Sequence, residues 1–301
     1  MREYLDRFYR QELQNCFGTL NVKTKDMRTR GVELINKFAF GITRGMIPTV
    51  IRPEMITRDI DMVLVNALYF NATWEHPFTE GGETHKSTFF PHYPDVEQNR
   101  RQTRATRITT TFMTMQGAFP YYSSKSDDVM MLALNYTGGK QTMYLAMPYT
   151  DIPLNEFEAK IDHRTLFRTW RKQLRLRDVI VTLPKFEMNM NLAAIPSLKS
   201  MAVNRLFSGF NQRRMPATNS TSRVDILTHK VVLQVHERGS TGAAVSGAGA
   251  VATSQKAKFT ANRPFIFVIY DHEAEAVMFI GRFQHPPNVD KQHEETRYET
   301  E

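Results

Sequence analysis

The chain has 301 residues with 41% hydrophobic content, and its net charge of +8 gives a pI near 9.5. It is long enough to bury a large core, but no apolar stretch approaches the length of a membrane span, and its charged, aromatic start is unlike a secretory signal. Cys16 is the only cysteine, which excludes an intrachain disulfide and a cysteine-built zinc site; we interpret it as a small buried hydrophobe.

Hydrophobic periodicity predicts a mixture of helices and strands along the chain. In chain order, helices are predicted near 4–8, 32–42, 154–161, 164–174 and 191–200. Strands are predicted at 20–23, 62–70, 110–115, 129–135, 141–148, 179–185, 230–235, 264–270 and 277–283. Because these elements do not alternate as βαβ units, they favour an α+β fold with large, mainly antiparallel sheets. The polar, acidic tail 288–301 is predicted to be disordered.

The strand predicted at 62–70 reads MVLVNALYF, which is typical of a strand buried on both faces. Asn66 is its single polar interruption. A buried amide must be hydrogen-bonded, so we expect Asn66 to find partners within the core rather than to ligate a metal.

A run of small, uncharged residues, GSTGAAVSGAGAVATS, extends from Gly239 to Ser254 between two strongly β-like segments. Gly and Ala bury too little apolar surface to offset the entropy of ordering, so an exposed, mobile loop is expected. Alternate residues share one face of a strand, and the tiny, neutral face of this run can enter a sheet without desolvating a charge. The residues of that face are Ser240, Gly242, Ala244, Ser246, Ala248, Ala250 and Ala252, and the β-branched residues of the other face are Thr241, Val245, Val251 and Thr253.

The run is therefore predicted to be a loop that can become a strand. The alternative is a flexible linker between domains. Only about forty-five residues follow the run, fewer than an independent domain without disulfides usually needs, and this argues against the linker.

Part of the excess positive charge lies in two clusters, Arg100, Arg101, Arg104 and Arg107, and Arg164, Arg168, Arg171, Lys172, Arg175 and Arg177. A heparin-like polyanion is a candidate partner for them. A solvated basic face is the favoured interpretation, and no nucleic-acid partner is expected, because neither cluster carries a nucleic-acid motif or an interleaved aromatic platform.

Three glycosylation sequons begin at Asn71, Asn135 and Asn219. They are compatible with a secreted protein, although chance alone supplies one or two in a chain of this length. The predicted location is extracellular if a longer natural protein carries a signal peptide, and cytoplasmic otherwise.

Several motifs, in order across more than two hundred residues, resemble the serpins, a family of serine protease inhibitors. They are LVNALYFNATWEHPF from Leu64 to Phe78, Leu183-Pro184-Lys185-Phe186, Arg205-Leu206-Phe207, HKVVLQVHERGSTGAAVSG from His229 to Gly247, and FTANRPFIFVI from Phe259 to Ile269. The resemblance implies a single serpin-like α+β domain over 1–287, with an exposed reactive loop and neither cofactor nor metal.

Such a protein inhibits a serine protease, which attacks the loop, forms a covalent acyl complex and is carried away as the cleaved loop enters the main sheet. In family register, the reactive bond would be Thr253-Ser254, flanked by Val251 and Ala252. Small residues at this bond predict an elastase-like target. The hinge would comprise Glu237, Gly239, Ser240, Thr241, Gly242, Ala243, Ala244 and Val245.

The resemblance also assigns three residues of the main sheet. Trp74 would lie at the top of the sheet, where the loop first enters. Asn66 and His229 would form a buried polar pair whose hydrogen bond helps to set the barrier to insertion. Without the resemblance, Trp74 and His229 read as ordinary core residues.

Two further readings compete with inhibition. An enzyme is disfavoured because no GxSxG, HExxH, Walker or dinucleotide motif is present. A non-inhibitory serpin-fold protein, or an inactive truncated product, is the stronger alternative. The family opens with several helices and a strand beneath the main sheet, whereas this chain starts near the end of the fourth helix, so the back of the sheet is expected to expose apolar surface.

Overall fold

The computed structural model describes residues 27–57, 60–78, 82–91, 107–150, 152–161, 169–211, 221–239 and 256–286. The chain forms two compact units. The first unit takes its described residues from the chain up to Phe70 and from Glu187–Leu233, and the second from Asn71–Phe186 and from Gln234 onward. That 1–287 forms a single domain stays a prediction.

The described helices are short. They are a π-helical turn at Met27–Gly31, α1 at Val32–Ile42, a 3-10 turn at Pro53–Met55, α2 at Leu154–Ala159, α3 at Arg171–Gln173, α4 at Ile195–Ser200 and α5 at Arg205–Ser208. The strands are β1 Met62–Phe70, β2 Glu83–Phe89, β3 Ile108–Ser124, β4 Val129–Asn135, β5 Gln141–Met147, β6 Arg175–Pro184, β7 Phe186–Ala193, β8 Phe210–Asn211, β9 Thr221–Ser222, β10 Val224–Val235, β11 Ala257–Thr260, β12 Phe265–Asp271 and β13 Ala276–Phe283.

The first unit contains a three-stranded sheet in the order β1-β10-β7. β1 and β10 are parallel neighbours, paired from Met62 opposite Val224 to Phe70 opposite Leu233. Apolar residues on one face of β1 pack against a buried cluster that includes Ala39 of α1 and Val232 of β10. The Asn36 side chain fixes the segment after α1, because its Oδ1 accepts from the backbone N–H of Val50 at 2.9 Å.

The opposite face of β1 is poorly covered. Asn66 is exposed, and Leu64 and Leu68 on the same face are only half-buried. The expectation that Asn66 is buried was wrong, because its side chain is exposed, and among the described residues its amide has no hydrogen-bond partner. Water can therefore satisfy this amide.

The second unit contains an eight-stranded sheet in the order β11-β6-β3-β4-β5-β12-β13, with β2 also paired to β3. The pairings within this sheet are antiparallel apart from the parallel pair β11 and β6. One cluster of its core packs β4, β5 and β12 against Phe157 and Trp170. The mixed α+β architecture with mainly antiparallel pairing confirms the predicted fold class.

Strands with continuous apolar runs lie where they were predicted: β1 and β4 match in full, and β5, β12 and β13 match to within one residue. Five strands, β2, β7, β8, β9 and β11, were not predicted, and β3, β6 and β10 are longer than expected. The helix expected at 191–200 begins only at Ile195, because β7 continues through Ala193. The elements expected at 4–8 and 20–23 lie outside the described residues, as do residues 164–168 of the helix expected at 164–174. The described part of that helix includes α3.

Candidate functional site

A tight turn, His236–Gly239, follows β10 and leads into the small-residue run; we call it the hinge turn. Its backbone closes on itself, because the Gly239 N–H donates to the His236 carbonyl at 3.0 Å and the His236 N–H donates to the Gly239 carbonyl at 3.2 Å. Gly239 has a φ of +111°, which favours glycine. A Cβ there would lie 2.5 Å from both the Ala72 oxygen and the Trp74 nitrogen. Only glycine fits this turn.

Trp74 holds the hinge turn from the side. Its indole Nε1 donates to the His236 carbonyl at 2.9 Å, and its backbone N–H donates to the Arg238 carbonyl at 3.1 Å. The ring is 2% exposed and stacks on Tyr136, with centroids 4.5 Å apart. Trp74 is therefore a core residue that also holds the hinge turn. Its assignment to the point where the loop enters the sheet stays a prediction.

Glu237 anchors the hinge turn through its side chain. Its Oε1 accepts from the Thr84 hydroxyl at 2.8 Å and lies 3.0 Å from Lys185 Nζ. Burial opposes ionisation of this carboxyl, but hydrogen bonds from its own backbone N–H, from Lys185 and from Thr84 outweigh burial and lower the pKa of Glu237. The ionised carboxylate is the form that holds the turn.

Replacing Glu237 with Gln should remove a pH-dependent part of the stability. A lowered pKa in the folded state contributes stability above the ordinary value of 4.5, and this contribution is lost as the pH falls through the folded pKa. Because the ion pair is partly exposed, we expect the free energy of unfolding of wild type to exceed that of Glu237→Gln by about 1 kcal/mol at neutral pH. This difference should shrink as the pH falls through the folded pKa of Glu237, which is below 4.5. Urea unfolding at a series of pH values measures this difference.

Glu156→Gln is the matched control, because Glu156 is exposed on α2 and its side chain has no partner among the described residues. A wild-type advantage over Glu237→Gln that stays constant into acid would contradict the assignment.

His236 adds a second titrating group to the hinge turn. Its Nδ1 accepts from the Arg238 backbone N–H at 3.2 Å, which requires a neutral imidazole. Burial lowers the pKa of His236; Lys185 and Arg238 lower it further, while Glu237 acts in the opposite direction. The sequence did not single out four residues of this site, because their roles depend on contacts between distant parts of the chain. They are Thr84, Tyr136, Lys185 and His236.

The family model described as "Serpin (serine protease inhibitor)" matches residues 4–286. The chain belongs to the serpin family. It is 28% identical to human heparin cofactor 2 over 83% of this chain and 47% of that protein, and 29% identical to sheep (Ovis aries) antithrombin-III over 84% of this chain and 52% of that protein. The chain thus spans about half the length of these curated relatives.

A solved serpin structure shares the fold. Serpin48 of the insect Tenebrio molitor, described as a highly specific serpin, superposes with a TM-score of 0.75 at 21% identity, covering 95% of this chain and 73% of Serpin48.

The structure brings Trp74, Glu237 and Gly239 of the predicted serpin site together at the hinge turn. Asn66 and His229 are also neighbours, opposite each other in the β1 and β10 register, but they do not form the expected buried pair, because Asn66 is exposed. The loop residues Ser240–Val245 and Val251–Ser254, and Asn219, lie outside the described residues.

The two described sequons differ in the state of their asparagines. Asn71 is exposed at the end of β1. Asn135 is half-buried, and its Nδ2, the atom that would carry a glycan, donates to Glu75 Oε2 at 3.0 Å. Among the described residues, the Asn71 side chain has no hydrogen-bond partner that a glycan would displace, so Asn71 is the better acceptor of the two.

Within the described ranges, no group of three or more His, Cys, Asp or Glu side chains is placed to hold a metal ion. No helix in the described part of the chain is long and apolar enough to cross a membrane.

Proposed function

We propose that this serpin inhibits serine proteases as a suicide substrate, by inserting its cleaved loop between β1 and β10. The observation that carries this proposal is the pairing of these two strands as parallel neighbours, with β10 leading through the hinge turn into the loop. A new strand that enters between β1 and β10 can run antiparallel to both of them. A short connection is enough to join antiparallel strands. The tiny, neutral residues of the run suit such a central position.

The energetics favour insertion. If the new strand adds about a dozen ladder hydrogen bonds at about 1 kcal/mol each, the net gain is on the order of 10 kcal/mol. A gain of this size can distort the active site of a protease that is still tethered to the loop. Until cleavage, Trp74, Thr84 and Lys185 hold the hinge turn at the end of β10.

The target that we propose is an elastase-like protease acting at Thr253-Ser254. The shallow pocket of such an enzyme accepts Thr, Val or Ala, whereas trypsin-like enzymes need a cation and chymotrypsin-like enzymes an aromatic residue. The nearest downstream cation is Lys256, and the nearest aromatic residue is Phe259. Both follow the proposed bond, so elastase-like cleavage is the expected productive event.

Mixing the protein separately with elastase, chymotrypsin and trypsin tests this proposal. We expect a complex stable to detergent and heat with elastase, and mass spectrometry of the released C-terminal peptide should show a start at Ser254, Thr253 or Ala252. Thr253→Arg is the matched variant and should move complex formation from elastase to trypsin, because Arg fits the trypsin pocket. A stable trypsin complex of wild type, cleaved after Lys256, would contradict the elastase assignment.

Cleavage without a stable complex would instead identify a non-inhibitory serpin or an inactive product. The half-exposed face of β1 is the observation that favours this alternative, because a sheet whose face is uncovered is less able to store strain.

We also propose that the basic segment around α3 binds a sulfated polyanion; one relative carries the name heparin cofactor 2. Lys172 and Arg177 are exposed, whereas the Arg171 guanidinium is already held over the Tyr270 ring at 4.6 Å. Arg164 and Arg168, and Arg100 to Arg104 of the other cluster, lie outside the described residues.

A Lys172→Ala/Arg177→Ala variant should elute from a heparin column at lower salt than a variant lacking two other exposed cations, Lys125 and Lys258. If both variants elute at equally reduced salt concentrations, net charge alone accounts for retention on the column.

We also propose that the protein is secreted, and the exposed sequon at Asn71 supports this.

A further inference from the structure

A cavity of about 240 Å³ lies in the second unit beside Trp74. Its lining includes Trp74 and Glu75, Ala118 and Pro120 of β3, Asn135 of β4 and Leu176 of β6. Among the described residues, none that line the cavity belongs to β1 or β10.

The chemistry of the lining is asymmetric. Ala118, Pro120 and Leu176 supply apolar wall, and His76 stands edge-on to Phe119 at 6.2 Å. Among the described residues, the lining contains one carboxylate, that of Glu75, and no Lys or Arg. A ligand of this cavity therefore meets an apolar surface on one side and a negative charge on the other.

The carboxylate is held in place before any ligand arrives. Asn135 Nδ2 donates to Glu75 Oε2 at 3.0 Å, and the Glu75 N–H donates to the Asn135 carbonyl at 2.8 Å. Asn135 is itself fixed, because its Oδ1 accepts from the Thr142 hydroxyl at 2.9 Å. Among the described residues, Glu75 Oε1 has no partner, so one oxygen remains for a donor.

We propose that this cavity binds a protonated amine or a guanidinium carried on a short apolar stem. The cation pairs with Glu75, and the stem lies against Ala118, Pro120 and Leu176. A charge-assisted hydrogen bond to an oriented carboxylate is stronger than a neutral hydrogen bond, and this difference makes the cavity selective for a cation over an uncharged ligand. The volume is below the range of about 300–1,000 Å³ typical of drug-sized ligands, so the ligand is a small amine or a single Arg or Lys side chain of a peptide.

Trp74 connects this cavity to the hinge turn. Trp74 is one of the residues that line the cavity, and its Nε1 donates to the His236 carbonyl at 2.9 Å. A ligand in the cavity therefore contacts the residue that fixes the start of the loop, and its binding changes the surroundings of the indole. Binding itself requires no protease, so this inference and the proposed inhibition can fail separately.

The test is a fluorescence titration of Trp170→Phe, in which Trp74 is the one remaining tryptophan. The probe is 2-phenylethylamine at neutral pH, and its uncharged counterpart is 2-phenylethanol. We expect the amine to change Trp74 emission with a Kd of about 1 mM, in line with a ligand of its size, and the alcohol to bind about tenfold more weakly. Equal affinity for the two probes, or no response to the amine at about tenfold the expected Kd, overturns the proposal.

Two variants on the same background locate the site. Glu75→Gln should weaken amine binding about tenfold, while Glu156→Gln on α2 should leave it unchanged. Ala118→Leu should abolish the response by filling the cavity, and because Ala118 is only half-buried, the larger side chain has room to be accommodated. Unchanged binding in either cavity variant excludes this cavity.

A third arm of the titration separates the two sources of the cation. The probe is the acetylated, amidated peptide Gly-Arg-Gly, compared with Gly-Gln-Gly. Binding of the Arg peptide alone identifies a side chain of a protein partner as a ligand, and binding of the amine without the peptide identifies a free amine.

Discussion

Replacing Ser240 with Arg, or Ala244 with Glu, should convert the protein from an inhibitor into a substrate of its target protease. Both residues lie on the tiny, neutral face of the loop, which must be buried if the loop enters the sheet. Burying an unpaired charge costs several kcal/mol, and each 1.4 kcal/mol is about tenfold in rate, so the protease deacylates before insertion is complete. We expect the stoichiometry of inhibition to rise from about one to above about ten, measured by titrating a fixed amount of elastase.

Thr241→Arg is the matched control for this experiment, because it places the same charge one residue further on, on the opposite face of the inserted strand. It should inhibit nearly as well as wild type. These positions lie outside the described residues, so the expectation rests on the alternation of the sequence. Unchanged stoichiometry in Ser240→Arg, or an equal loss in Thr241→Arg, would show that face-specific burial of the loop is not the controlling step.

Replacing Gly239 with Ala should open the hinge turn. The added Cβ would lie 2.5 Å from the backbone oxygen of Ala72 and from the backbone nitrogen of Trp74, and neither backbone atom can move aside cheaply. We expect a loss of about 2–4 kcal/mol, at the upper end for a single substitution, together with weaker Trp74 contacts to His236 and Arg238. Urea unfolding followed by tryptophan fluorescence measures both effects.

Gly138→Ala separates the steric clash from the cost of the backbone conformation. Gly138 also has a positive φ, +87°, but a Cβ there meets nothing within 4 Å. This control should lose only about 1–2 kcal/mol, the cost of the left-handed conformation. Equal losses in the two variants would mean that the contact with the chain at 72–74 does not hold the turn.

The fold could be predicted best where burial alone decides the structure. β1 and β4 are apolar along their lengths, so their sequences carry the signal of a strand without reference to neighbours. β2, with the sequence ETHKSTF, is polar and largely exposed, and it is a strand because it pairs with β3 along Ile108–Thr114. β7 is likewise exposed over most of its length and was not predicted as a strand, and its last residues were assigned to a helix instead.

The candidate site divides in the same way. The resemblance assigns Trp74, Glu237 and Gly239 to the site. The need for glycine at 239 comes from its φ of +111° and from the backbone of Ala72 and Trp74, which the sequence does not show. The partners that make these residues effective, Thr84 and Lys185, are 153 and 52 positions away from Glu237 and are brought near by the sheet. Asn66 shows the opposite error: a polar residue in an apolar run suggests burial, but burial also requires a covering layer.

The length of β3 bears on how the second unit opens. This strand of 17 residues pairs with β2 along Ile108–Thr114, with β6 along Phe112–Tyr121 and with β4 along Tyr121–Ser124. Freeing it breaks three ladders together, so its amides should be among the slowest in the unit to exchange with deuterium. The two side chains that bind Glu237 are attached to it, because Thr84 pairs opposite Met113 and the Lys185 N–H donates to the Thr111 carbonyl at 2.8 Å. Release of the hinge turn therefore requires only the loss of its own contacts with Trp74, Thr84 and Lys185, whereas its anchor dissolves only with the cooperative unfolding of the sheet.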